Sequence, residues 1–186
     1  MIIAGLIVTT ATGTTDTKKP SWIWGPGAAQ ENETVFFRKI VQLNTKDLGP
    51  GAKQVQSAKF TMSCDNGFEA FINGKKVLAG GDWNNARTTD VKKHLKVGRN
   101  VIAVRGWNQG SVAGLVGRLD IAASTSRHKI INTDASWSSS RKKSNGWESF
   151  SFDAKDWKPS KETGVLGVGP WGNVFAKASK GSGGTP

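Results

Sequence analysis

Two short stretches concentrate side chains able to do chemistry. Residues 80–88 hold Asp82, Trp83, Asn84, Asn85 and Arg87, and residues 106–112 hold Trp107, Asn108 and Gln109. An indole beside an acid, amides and a guanidinium matches what pyranose recognition requires. The ring packs on the apolar C–H face of the sugar and the polar groups bond its hydroxyls. Each residue also has a plainer role open to it. Trp83 would serve to plug the end of a fold, with Asp82 accepting backbone N–H groups, and Trp107 would serve to cap a core.

Other chemistries find less support. Glycoside hydrolysis needs two carboxyl groups about 5–10 Å apart, one with a shifted pKa. The chain has 14 acids, mostly beside turns, and no spacing marks such a pair; Asp134 and Asp153 read as turn or cap residues. No nucleophile elbow, zinc-protease helix, Walker loop or dinucleotide fingerprint occurs. The run from Gly167 to Gly172 has no helical pattern after it that would cradle a phosphate. Cys64, the only cysteine, can form no internal disulfide. It continues the inward set Phe60 and Met62, as a small buried hydrophobe would. His94 and His128 are too far apart to make a zinc site with it. Asp65, Asn66 and Asp82, with backbone carbonyls, are oxygen donors of the kind Ca2+ takes. Their spacing is not diagnostic, so no cofactor is expected, a structural Ca2+ being the alternative, and catalysis is not expected.

The elements that must position these loops are strands. Val35, Phe37, Lys39, Val41 and Leu43 alternate with Phe36, Arg38, Ile40 and Gln42. The same period of two runs through Phe60–Cys64, Phe68–Ile72, Val101–Arg105 and Leu115–Ile121, and further strands are expected at His128–Asn132 and Trp147–Phe152. No helical period is sustained. Asn73-Gly74 is a strong hairpin signal, because both residues tolerate the positive φ of a type I′ turn. Asp65-Asn66-Gly67 lies at the other end of that hairpin. Short strands punctuated by turns predict an all-β antiparallel sandwich, since a sheet with one buried face needs a second sheet to cover it. Such a sandwich would bring the loops around Trp83 and Trp107 side by side at one solvent-open rim. Trp24 and Trp171, both beside Gly–Pro turns, are expected to pack together where the chain ends meet.

At 186 residues the chain fits one domain with tails, and it carries eight Trp, eight Phe and no Tyr. Its net charge of +12 favours polyanionic partners. The densest clusters, Lys92–Arg99 and Arg141–Lys143, lack the interleaved aromatics of a single-strand binder. Solvated loop charge is the expected reading, with a polyanion footprint as the alternative and no specific nucleic acid.

The ordered segments Asp65–Val77, Gly81–Asn85, Asp90–Val104, Trp107–Gly110 and Ala113–Ile121 resemble the galactose-binding-like β-sandwich (jelly-roll) modules. These accompany rhamnosidases and family 2 glycoside hydrolases, and planctomycete-type secreted cytochrome-associated proteins. Trp22-Ile23-Trp24 at the start, and Phe152-Asp153, Asp156–Lys158 and Gly169–Gly172 at the end, extend the match over residues 21–175. The resemblance implies a non-catalytic, accessory carbohydrate-binding domain, sometimes with a structural calcium. Its partner would be a polysaccharide or glycan, anionic ones favoured by the basic surface. The alternative is a structural or interaction module, with no sugar ligand, in a larger extracytoplasmic protein with fused or neighbouring domains.

Residues 1–20 read as a signal-like remnant and linker, residues 21–175 as the sandwich and residues 176–186 as a flexible tail or linker. Met1–Val8 is apolar but too short to span a membrane, which takes about 20 residues. A secreted, periplasmic or cell-surface location is expected.

Overall fold

The computed structural model describes residues 18–110, 112–124 and 127–181. Its strands are β1 (Ser21–Trp24), β2 (Thr34–Leu43), β3 (Ser57–Asp65), β4 (Gly67–Ile72), β5 (Lys75–Gly80), β6 (Arg87–Asp90), β7 (Gly98–Trp107), β8 (Gly114–Ser124), β9 (Arg127–Asn132), β10 (Ser138–Ser140), β11 (Lys158–Pro159), β12 (Lys161–Val165) and β13 (Ser179–Lys180). One sheet has the order β12-β1-β8-β3-β6-β13, with β9 also on β8; the other has the order β11-β10-β2-β7-β4-β5. The pairing is antiparallel except for β13, which runs parallel to β6. The expected all-β sandwich is the fold.

Alternation sorts the side chains. Val35, Phe37, Phe60, Met62, Cys64, Phe68, Ile72, Ile102, Val104 and Leu115 fill the space between the sheets, all nearly inaccessible. Burying each large apolar side chain contributes about 1.5–3 kcal/mol. Burial also pushes the Cys64 thiol pKa up, so it is an inert core residue as expected. The hairpin turn follows its signal, with φ of 50° at Asn73 and 82° at Gly74.

The sandwich is covered outside as well. On the outer face of the first sheet, Trp22, Ala86 and Val116 pack with Leu166, Trp171 and Val174 of the C-terminal segment. On the second sheet, Phe36, Val101 and Ala103 pack under Trp147. Both faces of β7 are therefore buried over its middle, which explains its continuous apolar run.

Three expectations need correction. Trp147–Phe152 is a turn-rich cover and not a strand. Its apolar residues clamp the sheet from outside, and the Arg38 guanidinium holds it by donating to the carbonyls of Trp147, Ser149 and Phe152. Trp171 stacks on Trp22, with centroids 4.4 Å apart, and not on Trp24. A bulge between Trp22 and Ile23 re-aims the strand, so Trp24 turns to Phe37 in the core. The boundary placed after residue 175 falls inside the fold, because a short helix at Val174–Lys177 leads into β13. Residues 1–17 and 182–186 lie outside the described residues.

Candidate functional site

The chain crosses from one sheet to the other at Asp65-Asn66, between β3 and β4, through a cis peptide. β5 ends and β6 begins at this rim, since Gly80 pairs with Phe68 and Arg87 with Met62. β7 ends there too, with Trp107 opposite Gly67. The two chemistry-bearing loops therefore flank one crossing. The Asn66 N–H donates to the Trp107 carbonyl at 2.7 Å, and Asn66 Oδ1 accepts the Gln109 N–H at 2.6 Å. On the other side Asp65 Oδ2 accepts the Trp171 indole N–H at 2.8 Å. The Ser63 hydroxyl donates to the Trp83 carbonyl at 2.5 Å, fastening loop 81–86 to the same edge.

The candidate residues then separate by what their side chains are already doing. Asp82 is exposed and its Oδ1 accepts the Asn84 N–H at 3.0 Å, a local turn that fixes the loop. Trp83 is half-buried against the Trp22–Trp171 cluster. Asn84 and Gln109 are exposed, and among the described residues neither side chain has a hydrogen-bond partner. Asn85 and Arg87 turn toward the C-terminal strand, where the Ser179 hydroxyl donates to Asn85 Oδ1 at 2.8 Å and accepts from the Arg87 guanidinium at 3.0 Å. Asn108 is 2% exposed. Its amide donates to the carbonyls of Gln30 and Gly110 and accepts the Gly110 N–H, so it builds the loop from beneath.

Trp107 continues the face of Val101, Ala103 and Arg105, as the alternation predicted. Its ring lies across Gly67, where a side chain at 67 would collide with it. The Arg105 guanidinium stands 5.5 Å from the ring centroid. Arg105 and Lys76 both pair with Glu69, and the Lys76 hydrogen bond above all holds that carboxyl below its usual range. The loops share a rim, but Trp83 rests on the outer face of one sheet and Trp107 on that of the other.

Sequence reasoning missed the support under this rim. Glu33 accepts the Trp24 indole N–H and the Gln30 N–H, each at 2.7 Å, and Arg141 Nε at 2.6 Å. Burial alone would raise the Glu33 pKa, but these bonds, with Arg141 first, together lower it. Its carbonyl accepts the Asn108 N–H at 2.9 Å, so the buried acid braces the loop that carries Gln109. The partners are over 100 residues apart in the case of Arg141, and no local pattern announces them.

Among the described residues no group of three or more His, Cys, Asp or Glu converges to hold a metal. The donors at the crossing are of another kind. Asp65 Oδ1 has no hydrogen bond among the described residues, and the Asn66 amide oxygen, which accepts the Gln109 N–H, belongs to the next residue. One carboxylate with amide and backbone oxygens fits Ca2+. No hydrogen bond joins Asp82 to this pair. Among the described residues no helix is long and apolar enough to cross a membrane.

No family model matches the chain. An α-L-rhamnosidase of Streptomyces avermitilis is 29% identical over 171 residues, covering 86% of this chain and 16% of the relative. The crystal structure of that organism's α-L-rhamnosidase with L-rhamnose superposes with a TM-score of 0.74 over 83% of this chain and 15% of the enzyme. The lectin of Pleurotus ostreatus, solved with GalNAc, is 26% identical with a TM-score of 0.71, over 83% of this chain and 44% of the lectin. The chain thus spans about one sixth of the curated relative it matches. By sequence and by architecture together, this chain is a galactose-binding-like β-sandwich, similar to domain-sized parts of a rhamnosidase and of a lectin.

Proposed function

We propose that this chain is a non-catalytic carbohydrate-binding module of a secreted or cell-surface protein, and that sugar sits over the Asp65-Asn66 crossing. The observation that carries the reading is the set of unspent groups at that rim. Asn84 and Gln109 keep free amides, Asp65 keeps a free oxygen, and Trp83, the neighbour of Asn84 in its loop, is only half-buried. Polar groups without partners next to an aromatic surface suit hydroxyl recognition. The relation to a lectin solved with GalNAc and a rhamnosidase solved with L-rhamnose supports the same ligand class. In this arrangement Asn85, Arg87 and Asn108 shape the loops, and Trp107 borders the site on the second sheet.

Titration with GalNAc, galactose and L-rhamnose tests it, with Trp83→Ala as the control. At least one sugar should bind, and the variant should weaken it about tenfold or more, the scale of losing an aromatic contact. Silence across a wide glycan panel by a folded chain would overturn the reading. Asp65 and Asn66 would hold the Ca2+ that suits their oxygens, and a bound Ca2+ would supply a fixed cation for sugar hydroxyls. Chelation should then weaken binding and lower the melting temperature, and added Ca2+ should restore both. Indifference to chelator would remove the ion while leaving the sugar site.

A second reading is favoured by the chain's matching only 16% of the rhamnosidase: a docking or spacing module within a larger protein. Co-purification with a neighbouring domain, in the absence of any glycan binding, would select it.

A further inference from the structure

Away from the rim, on the outer face of the second sheet, lies a cleft of about 640 Å³. Its walls include Arg38 and Ile40 of β2, Arg99 of β7, Ser136, Ser138, and Phe150 to Asp153 of the cover. Arg99 lies eight residues down β7 from Trp107, and Arg38 stands opposite Ala103, four residues from it, so at about 3.3 Å per residue the cleft runs from roughly 13 to roughly 26 Å from that end. Two cations stand over the Phe150 ring, Lys96 Nζ at 4.7 Å and Arg99 Cζ at 4.6 Å from its centroid. Lys39 donates to the Ser136 hydroxyl, which donates in turn to Asp134 Oδ1.

What sets this place apart is convergence. Some cations of the chain meet acids, as Lys76 and Arg105 meet Glu69 and Arg141 meets Glu33, and others, such as Lys92 and Lys93, have no carboxylate within 4.0 Å among the described residues. Here Arg38, Lys39 and Arg99 line one cleft, with Lys96 beside them over Phe150. Among the described residues, no carboxylate lies within 4.0 Å of the charged groups of Arg38, Lys39, Lys96 or Arg99. The one acid of the cleft, Asp153, accepts the Lys155 N–H at 3.0 Å and lies 4.0 Å from the Lys155 ammonium. Arg38 is the unusual member. It is 3% exposed, bonded only to backbone carbonyls, and its Nε is buried without a partner. A cation taken out of water without a counter-charge is costly, and an anion nearby relieves that cost. Burial first, and then the charge of Arg99, lower the Arg38 pKa, and the more distant Glu148 carboxylate offsets them only in part.

We infer that this cleft is a second subsite, which takes the anionic substituent (sulfate ester or carboxylate) of an acidic sugar residue. Guanidinium and ammonium groups bind the anion, the Ser138 hydroxyl bonds the sugar, and Ile40 and Phe150, 43% and 41% exposed, form an apolar wall. The carrier being a sugar rests on the carbohydrate-binding reading; the anion preference rests on the cleft alone.

The test titrates the whole chain with a sulfated carrageenan tetrasaccharide, tetragalacturonate, the neutral neoagarotetraose and a short oligothymidylate. One or both acidic sugars should bind about tenfold tighter than the neutral one, the scale of one charge-assisted contact. Which of them does so separates sulfate from carboxylate. That margin should vanish in Arg99→Gln and shrink in Phe150→Ala, both exposed sites whose variants should melt like the parent, and should persist in Trp83→Ala. Equal affinity for charged and neutral sugars, or a margin indifferent to Arg99→Gln, overturns the subsite. Oligothymidylate binding as tightly as the acidic sugars overturns it in favour of a general polyanion surface. If no neutral sugar binds and Trp83→Ala is without effect, but the Arg99-dependent margin remains, the rim reading fails and the subsite stands.

Discussion

The two ends of the sandwich are built from the same residue type and do opposite things with it. At the end carrying the Asn73-Gly74 turn, the buried amides of Asn73 and Asn100 are consumed. Asn73 Oδ1 accepts the Val101 N–H, and its Nδ2 donates to the His94 carbonyl and to Asn100 Oδ1, each at 2.9 Å. Asn100, wholly buried, also accepts the Lys96 N–H and donates to the carbonyls of Lys96 and Gly98. At the Asp65-Asn66 end, Asn84 and Gln109 stand in solvent with nothing to bond. Amide content alone therefore does not locate a binding site. The proposed site depends instead on amides that the fold has not already used and that stand beside an aromatic loop.

The comparison breaks most visibly at the closed end. Asn100→Ala leaves several buried backbone and amide groups without partners, which costs roughly 3 kcal/mol at about 1–3 kcal/mol per orphaned group. Chemical denaturation should show that loss, with sugar affinity unchanged once folded. A comparable drop in affinity would mean that the closed end also shapes the ligand site.

Next in size is the buried acid under the open end. Glu33 has its folded pKa lowered from the usual 4.5, so its contribution is fully present above that pH. It is lost as pH falls through the lower folded value, because the protonated acid no longer pairs with Arg141. Glu33→Gln should cost about 2 kcal/mol at neutral pH, the scale of breaking a largely buried charge pair. The gap between parent and variant should narrow below about pH 4.5. A gap that stays constant with pH would show that geometry, and not charge, holds the 25–33 loop.

How far these features could be read in advance follows from how local they are. The Asn73-Gly74 turn, the alternation that turns Trp107 outward and the inward set ending at Cys64 each depend on neighbours a few residues away, and the chain spells them out. The covers do not. Trp147–Phe152 has strand-like composition, yet it is held by Arg38 from 109 residues earlier in the sequence at Trp147. Trp22 and Trp24 look equivalent until a bulge sends one outward to Trp171 and the other into the core. At the rim, residue types announced loops 81–87 and 107–109. Which of their side chains are spent depends on distant partners: Ser179 for Asn85 and Arg87, Gln30 for Asn108.

The smallest effects sharpen the comparison most, because stability and affinity should part there. Asn84→Ala and Gln109→Ala remove side chains that make no hydrogen bond among the described residues, so stability should change by less than about 0.5 kcal/mol, as at ordinary surface sites. If sugar hydroxyls are what those amides bond, each variant should still lose affinity by roughly three- to tenfold, the worth of one neutral hydrogen bond. Asn85→Ala is the matched control one residue away. It breaks the bond to Ser179 and should loosen β13, visible as faster amide exchange at Ser179 and Gly181, whose N–H groups bond Ala86 and Thr88. Should all three variants behave alike, in stability and in binding, the distinction between spent and unspent amides would have no functional meaning at this rim.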